Sequence, residues 1–285
     1  MATTIRYHTA DIDGLKLFYR EAGPGEALKL LLPDDFPSAS HMFRDLIPLL
    51  ADRFGVVAPE LPGFGQSDTP VRKNFRYTFD NIASVIERLI EVIGFRRLAV
   101  CVFDYGAATG FRLAVRHRGR ITAIISQDAN AYEEGLSEGW TAIRADWKDP
   151  SQVNRKALRA LLAPETSLWQ YTQDVPDPTM VSPDGRNLDN FYLARPRADE
   201  VQLDLFGDCK RRRALSVIPG IFRHVQAAAV RSVGQRRSFF CAGWAPRRSS
   251  ATILARLSAS VTPATSLWRR NAREIAAAIR DFLNN

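Results

Sequence analysis

Along the first half of the chain, short apolar runs alternate with longer stretches in which apolar residues recur every three or four positions. Leu28 to Leu32 is a run closed by Pro33, and Gly55 to Ala58 is a run closed by Pro59. Apolar runs of that length ended by turn residues predict buried strands. Arg97 to Phe103 (R-L-A-V-C-V-F) and Ile121 to Ser126 (I-T-A-I-I-S) predict two more. Between the second and third, Phe79, Ile82, Ile86, Leu89 and Ile93 share one helical face, and the pattern stops at Gly94, a residue suited to the left-handed turn after a helix. Strands alternating with helices predict an α/β fold, a mostly parallel sheet with helices on both faces.

The texture changes at Ala129. Trp140, Trp147, Trp169, Tyr171 and Tyr192 lie among helical pieces broken by Pro164, Pro176, Pro178 and Pro183. This reads as a helical cap over residues 129–207, inserted into a core begun by residues 1–128 and completed by residues 208–285. Within that last part, Ala272 to Leu283 returns to helical spacing with Ile275, Ile279 and Phe282 on one side, whereas 212–271 is irregular, with neither a sustained period of two nor a helical period.

Composition narrows the class. A hydrophobic fraction of 46% in 285 residues supports a buried core. Met1 to Gly14 carries Arg6, Asp11 and Asp13 and no long apolar stretch, so the expectation is a cytoplasmic protein without signal peptide or membrane anchor. Cys101, Cys209 and Cys241 have no metal-ligand spacing and imply no disulfide framework, so no metal or cofactor is expected. The net charge of +8 is unevenly spread: residues 1–207 carry −4 and residues 208–285 carry +12, with no acidic residue between Cys209 and Arg273. A nucleic-acid arm is one reading of such a tail. Its arginines lack the lysine admixture and aromatic interleaving of such an arm, and the expected partner is a small-molecule substrate, with neither nucleic acid nor membrane.

The segment Val102-Phe103-Asp104-Tyr105-Gly106-Ala107-Ala108-Thr109-Gly110 follows a strand directly and opens a helix. A sharp turn in that context projects one side chain clear of the sheet beside a helix N-terminus, as in a nucleophile elbow. Asp is also a favoured helix N-cap, and Asp104 suits both roles. Val57 to Asp68 (V-A-P-E-L-P-G-F-G-Q-S-D) is a strand followed by a glycine-rich turn. Phe36-Pro37 follows the strand Leu28 to Leu32, at an edge where a backbone N–H joins that of Tyr105 in a possible oxyanion hole.

Together these segments resemble the α/β-hydrolase superfamily over residues 25–208, and within it the branch with an aspartate nucleophile, the epoxide hydrolases and haloalkane dehalogenases. The resemblance implies an α/β-hydrolase fold with a cap. It implies Asp104 as the nucleophile that attacks an sp3 carbon to give an alkyl-enzyme ester, the N–H groups of Phe36 and Tyr105 as oxyanion donors, and a histidine, oriented by an acid, that activates water against the ester. Dehalogenases of this branch usually carry Trp after the nucleophile, where Tyr105 stands here. Epoxide hydrolases use cap tyrosines, for which Tyr171 and Tyr192 are candidates, with Trp169 as a further substrate-binding candidate. Asp34-Asp35 departs from the family's His-Gly: two carboxylates beside an oxyanion site oppose the charge it should stabilise, and Asp35 adopts a glycine's backbone less readily.

The larger departure lies downstream. His224 is the last histidine, ahead of where the resemblance places the acid and the base. Back-translated with free choice of synonymous codons and read one base out of phase, Arg212 to Phe222 can encode V-A-L-Y-P-S-F-Q-A-Y-F and Val233 to Arg237 can encode W-G-N-D. Read two bases out of phase, Gly243 to Ser250 can encode L-G-A-E-A-F-K and Val261 to Arg270 can encode D-T-G-H-F-A-L-E-T. These runs stand in family order, and a coding phase that slips near Arg211 and Ser238 and recovers near Asn271 also accounts for the missing acids. The expectations are disrupted C-terminal strands, a bare sheet edge and a triad without histidine and acid, so that the ester forms and no multiple turnover follows. His8 and His117 are expected far from Asp104, and His41 alone is placed to come near it. A pseudoenzyme that binds small molecules through its cap and a basic-tail nucleic-acid binder are the alternatives.

Overall fold

The computed structural model describes residues 4–117, 119–126, 138–173, 175–209, 254–256 and 272–284. In chain order, the described strands are β1 (Arg6–Ile12), β2 (Leu15–Ala22), β3 (Lys29–Leu31), β4 (Gly55–Pro59), β5 (Leu98–Val102), β6 (Ile121–Ser126) and β7 (Leu254–Arg256). They form one sheet in the order β1-β2-β4-β3-β5-β6-β7, antiparallel at β1-β2 and β2-β4 and parallel from β4 onward. The parallel strands match the four predicted apolar runs. The β1-β2 hairpin was not predicted. Its turn is Asp13-Gly14, with φ of 54° and 87°, and an Asp-Gly pair with both residues left-handed suits a tight hairpin turn whose twist matches the flanking strands.

Both faces of the central strands are buried, so alternate residues of β5 enter opposite cores. Leu98, Val100 and Val102 pack with Phe79, Ile82, Ile86 and Leu89 on one side, while Ala99 and Cys101 pack with Met42, Phe43, Leu46 and Ile47 on the other. The first group of helical residues belongs to α2 (Phe79–Val92), whose N-cap Thr78 accepts the Asn81 N–H and whose end is followed by Gly94 at φ 76°. The second core is closed by α1 (Ile47–Leu50) and by the last helix, α9 (Ala272–Asn284).

After β6 the described chain is helical: α4 (Thr141–Lys148), α5 (Gln152–Leu158), α6 (Pro164–Thr172), α7 (Pro183–Leu193) and α8 (Ala198–Asp208), with α3 (Asp104–Arg116) preceding them. Polar contacts tie this helical segment to the core. Arg195, just after α7, donates to the carbonyl oxygens of Gly65 at 2.6 Å and Gly63 at 3.3 Å. Asp208, the last residue of α8, accepts the Phe79 N–H that opens α2, at 2.8 Å. Arg72 of the core meets Asp204 of α8 at 2.5 Å.

Within 212–271 the described residues are those of β7. They pair parallel with β6, Ile124 opposite Leu254 and Ser126 opposite Arg256, where an unpaired edge was expected. Strand pairing uses backbone N–H and C=O groups that every non-proline residue carries, so a three-residue ladder needs no side-chain period. The rest of that segment, His224 included, lies outside the described residues. The chain then forms α9 (Ala272–Asn284), close to the predicted helix, with Ile275 and Ile279 buried. Arg280 of α9 donates through Nε to the Leu49 carbonyl at 3.0 Å. No helix among the described residues is long and apolar enough to cross a membrane.

Candidate active site

The turn from β5 into α3 has the form of an elbow. Phe103 is extended at φ −153°, and Asp104, the next residue, is left-handed at φ 38°. A non-glycine residue held there stores backbone strain of order 1–3 kcal/mol, which persists only where packing imposes it. The packing is visible at two glycines. A Cβ on Gly106 would lie 2.7 Å from the Pro33 carbonyl oxygen and 3.1 Å from that of Asp34, and one on Gly110 would lie 2.4 Å from Val102 Cγ1. The elbow is thus pressed onto the loop after β3 and onto its own strand.

That loop, from Pro33 to Ser38, carries Phe36, joined to Pro37 by a cis peptide bond. The Phe36 ring packs on Tyr105 at 5.6 Å, and Tyr105 also meets Phe79 at 5.0 Å and Phe64 at 6.1 Å edge to face. These contacts bring together the two residues whose N–H groups were expected as oxyanion donors. The Tyr105 hydroxyl is buried without a hydrogen-bond partner among the described residues. Burial, then the nearby Cys209, Asp104 and Asp35, raises its pKa well above that of a free phenol.

The two aspartates of the loop part company. Asp34 turns away from the elbow and accepts the Leu61 N–H at 3.0 Å; burial, reinforced by Glu60, holds its carboxyl well above the usual range. Asp35 faces the elbow. Burial first, then the charge of Asp104 and a hydrogen bond with the Asp104 side chain, raise its pKa well above that of a free carboxyl. Neither Asp35 oxygen receives a well-formed hydrogen bond from a described N–H or O–H, although the Phe36 amide lies beside it. Two carboxyls in contact, that of Asp35 fully buried, do not readily ionise together, and burial with the neighbouring Asp104 charge favours the protonated form of Asp35. Where two opposing carboxylates were expected at the oxyanion site, Asp34 instead accepts the Leu61 N–H, and Asp35 alone faces the elbow, with its neutral form favoured by burial and by Asp104.

A second polar cluster joins the same loop to the helical segment. His41 Nε2 lies 3.0 Å from Asp189 Oδ1 of α7, with both side chains buried, and 3.4 Å from Ser38 Oγ. Tyr171 of α6 donates its hydroxyl to Asp189 Oδ2 at 2.5 Å and also hydrogen-bonds Ser38. Tyr192 faces the His41 ring at 6.3 Å and lies under the Arg195 guanidinium at 5.0 Å. Of the three substrate-binding candidates, Tyr171 and Tyr192 thus converge on Ser38 and His41, two and five residues beyond Phe36, while Trp169 is 41% exposed. Below them, buried Glu60 accepts the Ser40 hydroxyl at 2.6 Å, and Arg20 Nε donates to the same Ser40 oxygen at 2.8 Å.

The other described histidines have carboxylate partners of their own. His8 meets Glu21 at 3.3 Å and His117 pairs with Glu87. Among the described residues no group of three or more His, Cys, Asp or Glu is arranged to hold a metal ion. The sequence reading named Asp35 only as an obstacle and did not name Asp189. The contact of Asp35 with Asp104 had a signal in the Asp34-Asp35 pair at the oxyanion position; Asp189, one acid among many in a helix, had none.

A family model described as alpha/beta hydrolase fold matches residues 30–174. The chain is 40% identical over 209 residues to an uncharacterized hydrolase of Saccharomyces cerevisiae, covering 71% of each protein. It is 31% identical over 128 residues to a soluble epoxide hydrolase of Corynebacterium sp., covering 45% of this chain and 43% of that protein. The crystal structure of the haloalkane dehalogenase DbeA from Bradyrhizobium elkani superposes with a TM-score of 0.74 at 18% identity, covering 99% of both chains, a likeness of fold.

Proposed function

The chain belongs to the α/β-hydrolase fold family, and from that premise we propose that it attacks the sp3 carbon of a small-molecule epoxide or halide through the Asp104 carboxylate, forming an alkyl-enzyme ester that accumulates. The observation that carries this reading is the left-handed Asp104 at the turn from β5 into α3, pressed against the Phe36 loop. Helices α4 to α8 serve as the cap expected over residues 129–207. The N–H groups of Phe36 and Tyr105 serve as oxyanion donors when the ester carbonyl is attacked, supplying hydrogen bonds where charge develops. Of the cap tyrosines, Tyr171 gives its hydroxyl proton to Asp189, which leaves Tyr192 as the phenol to meet a substrate oxygen. An oxygen leaving group needs a proton donor and a halide does not, so a tyrosine at that place favours epoxides.

The ester accumulates because the sequence carries no histidine after His224, and a hydrolase of this type needs a base to turn water against the ester. Purified protein incubated with styrene oxide or a bromoalkane gains the mass of one alkyl group, located on Asp104, and Asp104→Asn gains none. Multiple-turnover release of diol or halide with no build-up of ester overturns the reading. The slipped coding phase proposed for 212–271 is tested by the nucleotide sequence of codons 205 to 275, which holds the compensating insertions or deletions if the reading is right.

A further inference from the structure

Asp35 has no counterpart in the chemistry just described, yet its side chain touches the nucleophile. Its two oxygens are buried without a well-formed donor, its carboxyl hydrogen-bonds that of Asp104, and its loop lies against Gly106 closely enough to leave no room for a Cβ. A buried carboxyl held only for structure normally accepts hydrogen bonds, as Asp34 does from Leu61. The titratable groups facing Asp35 are Asp104 and Tyr105 from the elbow and Asp34 from its own loop.

We propose that Asp35 is the base that clears the Asp104 ester, acting from the oxyanion loop in the place of a histidine. This rests on the reading of Asp104 as nucleophile. In the free protein Asp35 holds a proton against the Asp104 carboxylate. When an Asp104 oxygen bonds to an epoxide carbon, the ring carbon–oxygen bond breaks on the far side of that carbon, the resulting alkoxide takes the proton of the Tyr192 phenol, and the proton that Asp35 then releases returns through water to the Tyr192 oxygen. Asp104 is now a neutral ester, so the negative charge that helped keep the proton on Asp35 has gone. Alkylation of the nucleophile itself turns its neighbour from acid into base. Asp35 next accepts a proton from a water molecule as the water oxygen bonds to the Asp104 carbonyl carbon. The tetrahedral intermediate collapses by breaking the bond from that carbon to the alkyl oxygen, and the departing alkoxide takes a proton from the regenerated Asp104 carboxyl. The sum is epoxide plus water giving diol, with Asp104 ionised and Asp35 protonated as at the start. Burial still disfavours the Asp35 carboxylate, which makes clearance slower than alkylation and lets the ester build up.

The full-length protein is pulsed with styrene oxide, freed of excess epoxide, and chased in water labelled with heavy oxygen, with the ester followed by intact and peptide mass spectrometry. The adduct decays and one heavy oxygen enters the Asp104 peptide. Asp35→Asn forms the adduct and clears it about a hundredfold more slowly, within the range a positioned base contributes. In the unsubstituted protein the clearance rate rises with pH to a plateau as Asp35 ionises, a readout that does not depend on the variant folding. Clearance by Asp35→Asn at the unsubstituted rate, a rate that climbs with hydroxide without a plateau, or an adduct that never clears overturns the role of Asp35 and leaves Asp104 as nucleophile. Absence of any adduct on Asp104 overturns both assignments.

Discussion

His41 of the loop after β3 meets Asp189 of α7 at 3.0 Å, with both side chains buried. The contact crosses from the sheet domain to the helical segment, so it positions one half of the candidate site against the other. Asp189 also accepts the Tyr171 hydroxyl through its other oxygen, so a single carboxylate is faced by two buried groups from different elements. Removing one partner of such a cluster costs more than the cluster contributes when intact, because the groups left behind stay buried without partners.

Asp189→Ala is expected to lower the free energy of unfolding by about 2 kcal/mol, since it removes the acceptor of the buried Tyr171 hydroxyl and the carboxylate facing the His41 ring, leaving Ser38 as their remaining polar partner. Urea denaturation measures the loss, and limited proteolysis finds the first cuts between residues 138 and 208. Asp189→Asn keeps an acceptor oxygen and loses less. Equal stability of Asp189→Ala and the unsubstituted protein removes the pair as the fastening between the two halves.

Asp104 holds a left-handed backbone that glycine adopts without strain. Asp104→Gly is therefore expected to raise the free energy of unfolding by about 1 kcal/mol while abolishing alkylation. Paired measurements of urea stability and adduct mass check both sides. A destabilised glycine variant shows that the elbow is not strained and removes the argument that function holds it there.

Much of this architecture was legible because burial on both faces of a parallel sheet leaves continuous apolar runs, and those at β3, β4, β5 and β6 were read from their turn residues. Helix α2 was legible for a similar reason, its apolar residues keeping one face from Phe79 to Ile90. The β1-β2 hairpin was missed although Asp13-Gly14 marks its turn, because its strands are largely exposed or half-buried and carry no apolar run. The elbow was legible as a strand followed directly by Asp104 and a helix with Gly106 in its first turn. The raised pKa of Asp35 was not, because it depends on which way the Asp34-Asp35 pair turns. One residue caps Leu61, the other reaches Asp104, and adjacent identical residues give no signal of that division.

Stability should depend on pH through the buried acids. Burial raises the pKa of Asp34 and Asp35 well above, and that of Glu60 above, the ordinary carboxylate range. The folded state therefore holds protons that the unfolded state has lost above about pH 4. Their contribution is fully present below that pH and disappears as pH rises through the folded-state values, with a slope of up to about 1.4 kcal/mol per pH unit for each such group. Urea unfolding from pH 4 upward, compared between the unsubstituted protein and Asp35→Asn, isolates one of them. The stability advantage of Asp35→Asn should grow with pH, and a difference that is flat or shrinks places Asp35 ionised in the folded state.

Gly106 tests whether the elbow and the oxyanion loop act as one unit. A methyl group there would lie 2.7 Å from the Pro33 carbonyl oxygen and 3.1 Å from that of Asp34, and both contacts are with backbone, which cannot rotate aside. Relief requires the loop bearing Asp35 and Phe36 to move off the elbow, the kind of overpacking that costs about 1–3 kcal/mol. The same movement takes the Asp35 carboxyl out of contact with Asp104 and draws the Phe36 N–H away from the ester carbonyl. Gly106→Ala is thus expected to lose stability and, where it still folds, to form the Asp104 ester while clearing it more slowly, as Asp35→Asn does. Combining the two substitutions separates the causes. If Gly106→Ala slows clearance only by moving Asp35, adding Asp35→Asn slows it little further, whereas a full additional effect shows that the methyl group acts on the oxyanion donors independently of Asp35.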